Sequence, residues 1–299
     1  MPELPEIEAL RRYLLREGLV GRTVVEVDAD WPGVEDTVDG MGGLSGLAGR
    51  RFEGFDRRGK QMMASMSAPA GRNPLILREP QDADLSRVGE RGQNNGPDRV
   101  LGLHMGMTGR LGVMAPEDES FQYRRLALYL DDERRLELDD VRRWAMVRLE
   151  ADAETFTAGM GPDALDPEFT AAEFAERVSA RRSPIKSVLL DQKVLAGVGN
   201  IYADEALLIV GISPSRRADR VSAGRLETLH GTIVGVLKNA LAFIESHPDN
   251  EGRPYVIDAQ DDRMQITRKA GAPCPLCGGP QNAKKFGGRT AYYCPSCQH

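Results

Sequence analysis

Residues 274–297 read CPLCGGPQNAKKFGGRTAYYCPSC, and they contain every cysteine of the 299-residue chain. The pattern is Cys274-x2-Cys277, then Cys294-x2-Cys297 after an intervening hairpin-length stretch. Paired CxxC knuckles separated by roughly 15 to 20 residues set four thiolates around one tetrahedral metal. Gly278, Gly279, Gly287 and Gly288 supply the turns that such knuckles need. The spacing predicts one structural Zn2+ held by Cys274, Cys277, Cys294 and Cys297 rather than disulfides. Four protein ligands leave no open coordination position, so this metal would hold a fold and not activate water.

Working outward, the length is enough for two domains with their own cores, and a hydrophobic content of 41% is that of an ordinary globular protein. No segment approaches the roughly 18 unbroken apolar residues of a membrane span. Glu3 and Glu6 stand where a signal peptide would carry basic residues, so a cytoplasmic protein is expected. The net charge of -6 argues against a nucleic-acid partner at first sight, because phosphate binding works through Lys and Arg. Its distribution argues otherwise. From Arg263 to His299 the charged side chains are Arg263, Arg268, Lys269, Lys284, Lys285 and Arg289, with no Asp or Glu. A basic face on an acidic protein and a merely solvated basic tail both fit that pattern.

Ile7, Leu10, Leu14 and Leu15 recur at helical spacing after Pro2 and Pro5 and before Gly21, predicting an amphipathic helix within 2–20. Eight short stretches then predict strands: 23–27, 51–55, 61–66, 100–105, 110–114, 126–130, 135–138 and 145–149. Strands at this density form two packed antiparallel sheets. The polar, turn-rich text between residues 67 and 98 reads as a long inserted loop. After Pro162 the pattern becomes helical, over 167–180, 184–191, 202–209 and 223–244, and residues 247–262 read as a connection before the knuckles. The expected class is α+β. Residues 1–160 would form an N-terminal helix with a two-sheet β-sandwich, 161–246 a helical domain, and 247–299 a loop and zinc-finger region.

The opening PELPE, the stretch IKSVLLDQKVLAGVGNIYADEALLIVGISPSR at 185–216 and the terminal knuckles together resemble the formamidopyrimidine-DNA glycosylase and endonuclease VIII family. The resemblance runs in register from end to end, except over 67–98 and about 247–263. It implies a helix-two-turns-helix motif within 161–246 and a lesion loop and zinc finger within 247–299, with EGRPYVIDAQDDRMQITRKAG only loosely matching the family's lesion-loop region. It also implies a bifunctional DNA glycosylase and abasic-site lyase of base excision repair. In that family the amine of a terminal proline attacks the sugar C1′ of a damaged nucleotide, expels the base and forms an iminium that leads to β,δ-elimination.

By that resemblance Pro2 is the nucleophile once Met1 is removed, Glu3 exchanges protons with the opening deoxyribose, and Glu6 supports it. An α-amino group has a reference pKa of about 7.7 to 8.0, and the positive end of the first helix favours its unprotonated form. Proline holds that nitrogen on a ring with fixed φ. Taken alone, PELPE is also simply a good helix start. Lys60, in DRRGKQMM, matches a lysine that contacts phosphate and assists elimination; without the resemblance it reads as a solvated turn.

LHMGMTG and DDVRRWAMV match the family's HLGMSG and DPRRFGAW. They carry over His104 as a phosphate contact, and Met107, Arg142 and Trp144 as the side chains that fill the gap left by an extruded nucleotide. Extrusion costs stacking and pairing energy that such fillers offset. Arg142 would hydrogen-bond the orphaned opposite base, preferably cytosine. Trp144 replaces the usual phenylalanine and Val141 the usual proline. Met107 or Trp144 taken singly reads as ordinary core.

GVGNIYADE permits a tight turn that brings Asn200 and backbone N–H groups to a phosphate at a helix start. Lys186 adds a phosphate contact, and Arg289, on the zinc hairpin, grips the phosphates flanking the lesion. PELPE points to oxidised purines, 8-oxoguanine and formamidopyrimidines; oxidised pyrimidines, as for endonuclease VIII, are the alternative substrates. Readings of another class are a non-catalytic binder of damaged DNA and a zinc-stabilised protein-interaction module. The expected partner is double-stranded DNA carrying oxidised bases or abasic sites, bound by a monomer.

Overall fold

The computed structural model describes residues 2–29, 43–68, 98–254 and 264–299. They divide into two compact units: residues 10–57 with 61–158, and residues 2–9 with 58–60 and 159–299.

The first unit is built on two four-stranded antiparallel sheets, of order β1-β6-β7-β5 and β2-β3-β4-β8. The strands are β1 Val24–Ala29, β2 Phe52–Arg58, β3 Gln61–Met66, β4 Arg99–His104, β5 Arg110–Met114, β6 Arg124–Leu130, β7 Arg135–Asp139 and β8 Met146–Glu150. Each of the eight expected strands is present, with ends displaced by a few residues. Alternation explains why the sheets form. Leu126, Leu128, Leu136 and Leu138 are buried, as are Leu101, Leu103, Val147 and Leu149. The neighbouring positions of β7 are buried as well, but polar. Arg135 Nε lies 2.7 Å from Glu137 Oε1, and Glu137 also accepts the Ser120 hydroxyl at 2.9 Å and the Phe121 N–H at 2.9 Å. A buried carboxylate is tolerated where donors surround it in this way.

Ser67, Ala68 and Asp98 close the foot of the expected insertion: the Ala68 N–H donates to Asp98 Oδ1 at 2.9 Å, beside the paired Met66 and Arg99. The rest of that loop lies outside the described residues. A short helix that the sequence did not signal, α2 Ala153–Phe156, covers β4 and β8.

The second unit is helical. α1 (Leu4–Arg16) begins in it, followed by α3 Ala171–Ser179, α4 Ile185–Leu190, α5 Asn200–Val210 and α6 Ala223–Ser246. Its core joins Phe174, Val178, Ile185, Leu189, Tyr202, Leu207, Leu226, Leu229 and Ile233 with Leu4 from the chain start. α3 starts later than its apolar pattern suggests, because Thr170 and Glu173 form a reciprocal capping box: Glu173 N–H to Thr170 Oγ1 at 3.2 Å, and Thr170 N–H to Glu173 Oε2 at 2.9 Å.

The cysteine knuckles flank a hairpin of β9 Asn282–Phe286 and β10 Arg289–Tyr293, with Arg289 opposite Phe286. Gly287 and Gly288 turn it with φ of 52° and 77°, the doubly positive backbone of a two-residue hairpin loop. Residues 255–263, most of the expected lesion loop, lie outside the described residues. No helix among the described residues is long and apolar enough to cross a membrane.

The capping box yields a first prediction. Thr170→Ala should destabilise the protein by about 1 kcal/mol in urea unfolding, whereas Thr170→Ser should stay close to wild type. An unchanged midpoint for Thr170→Ala would show that α3 does not depend on its cap.

Candidate active site at the chain start

α1 begins at Leu4, so Glu3 is its cap position and Glu6 its third residue. Glu6 Oε2 accepts the Glu3 N–H at 2.9 Å, which satisfies one orphan donor of the helix start. The other oxygen, Oε1, accepts the Tyr202 hydroxyl at 2.5 Å. Glu3 turns the opposite way: its Oε1 accepts the Ile201 N–H at 3.0 Å. Ile201 is in the first turn of α5, whose own cap residue, Gly199, has no side chain to offer. A carboxylate from the chain start therefore caps a helix almost two hundred residues away, where the helix dipole favours an anion.

That contact corrects one expectation. The Ile201 N–H at this helix start serves Glu3 and not a phosphate. The glycines of GVGN have a matching reason. A Cβ on Gly199 would lie 2.2 Å from Glu3 Cδ, and one on Gly197, whose φ is +105°, would lie 2.3 Å from Leu4 Cδ1. The Leu4 N–H also donates to the Gly197 carbonyl at 3.2 Å. Pro2 is buried beside these anchors, and Glu3 is 1% exposed. Glu3 Oε2 is buried with no hydrogen-bond partner among the described residues.

Lys60 occupies the turn between β2 and β3, which clusters with the second unit. Asp163 Oδ2 accepts the Gly59 N–H at 2.6 Å, and Arg58 donates to the Gly161 carbonyl at 3.0 Å. Gly59 has φ +58°, and a Cβ there would meet Gly197 N at 2.9 Å. Burial holds the Lys60 ammonium below the ordinary lysine range. Glu3 opposes that shift, Arg289 adds to it and Glu6 opposes it.

Lys186 requires a correction. The expected phosphate contact has no exposed surface: the side chain is 0% exposed, and its Nζ is 2.6 Å from Asp204 Oδ1 and 2.6 Å from the Asn200 carbonyl. Burial lowers its pKa, and Asp204 counters that. Asp204 Oδ2 takes Arg268 Nη2 at 3.0 Å and the Tyr292 N–H at 3.2 Å. Asn200 Nδ2 donates to the Thr290 carbonyl at 3.0 Å, next to Arg289. Lys186, Asp204, Arg268 and Asn200 thus tie α4 and α5 to the strand that carries the exposed Arg289. Sequence reasoning missed Tyr202, Asp204, Asp163 and Arg268; a helix opening on Gly-Asn with no capping side chain was the one local hint.

The four cysteine sulfurs lie within 4.8 Å of one another. Cys274 to Cys297 is 3.9 Å and Cys277 to Cys294 is 3.6 Å. Bonds of about 2.3 Å to a tetrahedral zinc imply sulfur separations of about 3.8 Å, so the set fits the metal and not a disulfide, which needs about 2.05 Å.

In the first unit, Arg142 touches both Trp144 and Met107. The Arg142 guanidinium lies 3.8 Å over the Trp144 ring, and its Nη1 is 3.7 Å from Met107 Sδ. Trp144 is 49% exposed, which removes core packing as its explanation. His104 is half-buried, and its Nδ1 accepts the Gly106 N–H at 3.1 Å, which leaves the neutral ring its proton on Nε2.

The seating of Glu3 yields a second prediction. Gly199→Ala should destabilise the protein by about 1 to 3 kcal/mol through overpacking. Gly231→Ala, on the exposed face of α6 with open space around it, should stabilise by roughly 0.5 to 1 kcal/mol. Equal midpoints in urea would mean that Glu3 is not seated as described.

The formamidopyrimidine-DNA glycosylase N-terminal domain model matches residues 1–147, and the formamidopyrimidine-DNA glycosylase H2TH domain model matches residues 160–248. A formamidopyrimidine-DNA glycosylase of Symbiobacterium thermophilum is 33% identical over 309 aligned positions, covering 100% of this chain and 89% of its own. One of Chloroflexus aurantiacus is 32% identical over 306, covering 100% and 98%. Among solved structures, MutM in complex with DNA containing carbocyclic 8-oxo-G matches with a TM-score of 0.78 at 25% identity, over 100% of both chains. Lactococcus lactis Fpg with DNA containing an abasic site shares the fold at a TM-score of 0.77 and 24% identity, over 99% of each. The chain belongs to the formamidopyrimidine-DNA glycosylase family.

Proposed function

We propose that this protein excises oxidised purines, 8-oxoguanine and formamidopyrimidines, from duplex DNA and then cleaves the strand at the resulting abasic site. The observation that carries the reading is the seating of the chain start: Pro2 buried beside Glu3, whose second carboxylate oxygen has no partner among the described residues. With Met1 removed, the Pro2 nitrogen attacks C1′ and the base departs with the bonding electron pair of the glycosidic bond. Glu3 delivers a proton to the ring oxygen as the deoxyribose opens, giving an iminium to Pro2. Elimination of the 3′ phosphate and then the 5′ phosphate follows, and hydrolysis frees the amine.

Lys60 suits the elimination steps, since a desolvated lysine below its ordinary pKa exchanges protons more readily at neutral pH. Glu6 acts through others, fixing the Glu3 backbone and Tyr202. His104, Asn200 and Arg289 are assigned to phosphates of the damaged strand, and Met107, Arg142 and Trp144 to the gap it leaves. Cys274, Cys277, Cys294 and Cys297 would hold one structural zinc that fixes the hairpin carrying Arg289. The protein acts as a monomer in the cytoplasm on duplex DNA, with residues 1–160, 161–246 and 247–299 as its catalytic, helical and finger regions.

The test is strand cleavage by zinc-loaded protein on duplexes carrying 8-oxoguanine opposite cytosine, thymine glycol, or an abasic site. Cleavage at 8-oxoguanine, leaving phosphate on both flanking ends and abolished by Glu3→Gln, is the expected result. Faster cleavage at thymine glycol would transfer the substrate to oxidised pyrimidines. Tight, lesion-selective binding with no cleavage of any duplex would leave a damage-binding protein.

A further inference from the structure

Asp140 is 0% exposed and is hydrogen-bonded to the two turns that carry the proposed gap-filling side chains. It begins the turn between β7 and β8 that carries Arg142 and Trp144. Its Oδ1 accepts the Thr108 hydroxyl and, at 3.1 Å, the Arg142 N–H; its Oδ2 accepts the Trp144 N–H at 2.6 Å and the Ala145 N–H at 2.7 Å. A carboxylate has about four lone-pair sites, and here four donors occupy them. The Asp140 backbone is held as well: its N–H donates to the Tyr123 carbonyl at 3.0 Å, and its carbonyl accepts Arg125 Nε at 2.9 Å.

Thr108 belongs to a different turn, between β4 and β5, where it adjoins Met107. The two turns also meet through their backbones, since a Cβ on Gly106 would lie 2.4 Å from the Trp144 carbonyl oxygen. Between Arg142 and Trp144, Arg143 adopts a left-handed φ of 57°, a conformation that costs energy outside glycine and persists where its surroundings determine it. The donors that Asp140 collects lie on both sides of that residue.

We propose that Asp140 is the positioning residue that joins the two turns, so that Met107, Arg142 and Trp144 form one preformed wedge before DNA arrives. The proposal rests on the functional reading above and goes beyond it. A wedge already assembled loses little side-chain freedom when it replaces an extruded nucleotide, and preorganisation of this kind is what tightens binding. Stacking of Arg142 on Trp144 also fixes which guanidinium edge faces the opposite base, making Asp140 a determinant of opposite-base choice.

Asp140→Asn is nearly isosteric but supplies half the acceptor sites, so its amide hydrogens must face at least one backbone N–H. The experiment compares wild type, Asp140→Asn, Thr108→Val and Thr108→Ser in three readouts. The first is excision of 8-oxoguanine opposite cytosine and opposite adenine. The second is cleavage of an abasic site in single-stranded DNA, where no nucleotide needs extruding. The third is amide hydrogen exchange of the free protein over residues 140–146.

For Asp140→Asn the ratio of duplex excision to single-strand cleavage is expected to fall at least tenfold, with cytosine-to-adenine selectivity falling toward one. Exchange over 140–146 should rise at least tenfold without change in β6. Thr108→Val should move all three in the same direction by less, and Thr108→Ser should match wild type. Duplex and single-strand rates falling together, or exchange unchanged, would overturn the proposal. The exchange readout needs no activity. A wild-type protein that excises no lesion would defeat the functional reading while exchange still decides whether Asp140 joins the turns.

Discussion

The contact between the Glu3 carboxylate and the Ile201 N–H is the constraint around which the chain start is organised. A terminus is ordinarily the loosest part of a domain unless something ties it down. Here the tie is mutual: α5 lacks a capping side chain and takes one from Glu3, while Glu3 is seated by the backbone of α5. Leu4 adds an apolar anchor in the helical core, and Gly197 and Gly199 give the room that both contacts need. Under the proposed function, this seating would hold the Pro2 nitrogen in place before substrate binds, and orientation is a large share of what catalysis requires.

Buried charge is used in the same way elsewhere. Asp204 gathers Lys186, Arg268 and the backbone of β10, so that the knuckle hairpin is fastened to α5 by charged and hydrogen-bonded groups. An isolated buried carboxylate would be costly; one whose lone pairs are filled is a rigid joint. Asp140 in the first unit and Asp204 in the second are two such joints: Asp140 fixes the backbone of a turn, and Asp204 joins two cationic side chains to the Tyr292 N–H of β10.

The strands and long helices were legible because their apolar positions repeat with the period of the element that buries them. The gathering of the four cysteines was legible because CxxC spacing is a local property. Glu3, Lys60 and Arg289 were named from a resemblance, since nothing near them in sequence assigns them a common role. Lys186 was misread for a related reason. A lysine beside a phosphate-binding turn and a lysine buried on an aspartate are identical in sequence, and what separates them is Asp204, 18 residues away. Asp140 escaped notice because a double Asp at a turn reads as solvated, and its partners come from two turns that only the fold brings together.

The central claim is that the nitrogen of Pro2 is the nucleophile. Borohydride trapping on a duplex with 8-oxoguanine opposite cytosine, followed by mass mapping of the crosslinked peptide, tests it most directly. A reduced adduct on residue Pro2, in protein lacking Met1, is the result expected. An adduct on Lys60 or another lysine, or none on Pro2 with any lesion or abasic duplex, would contradict the claim.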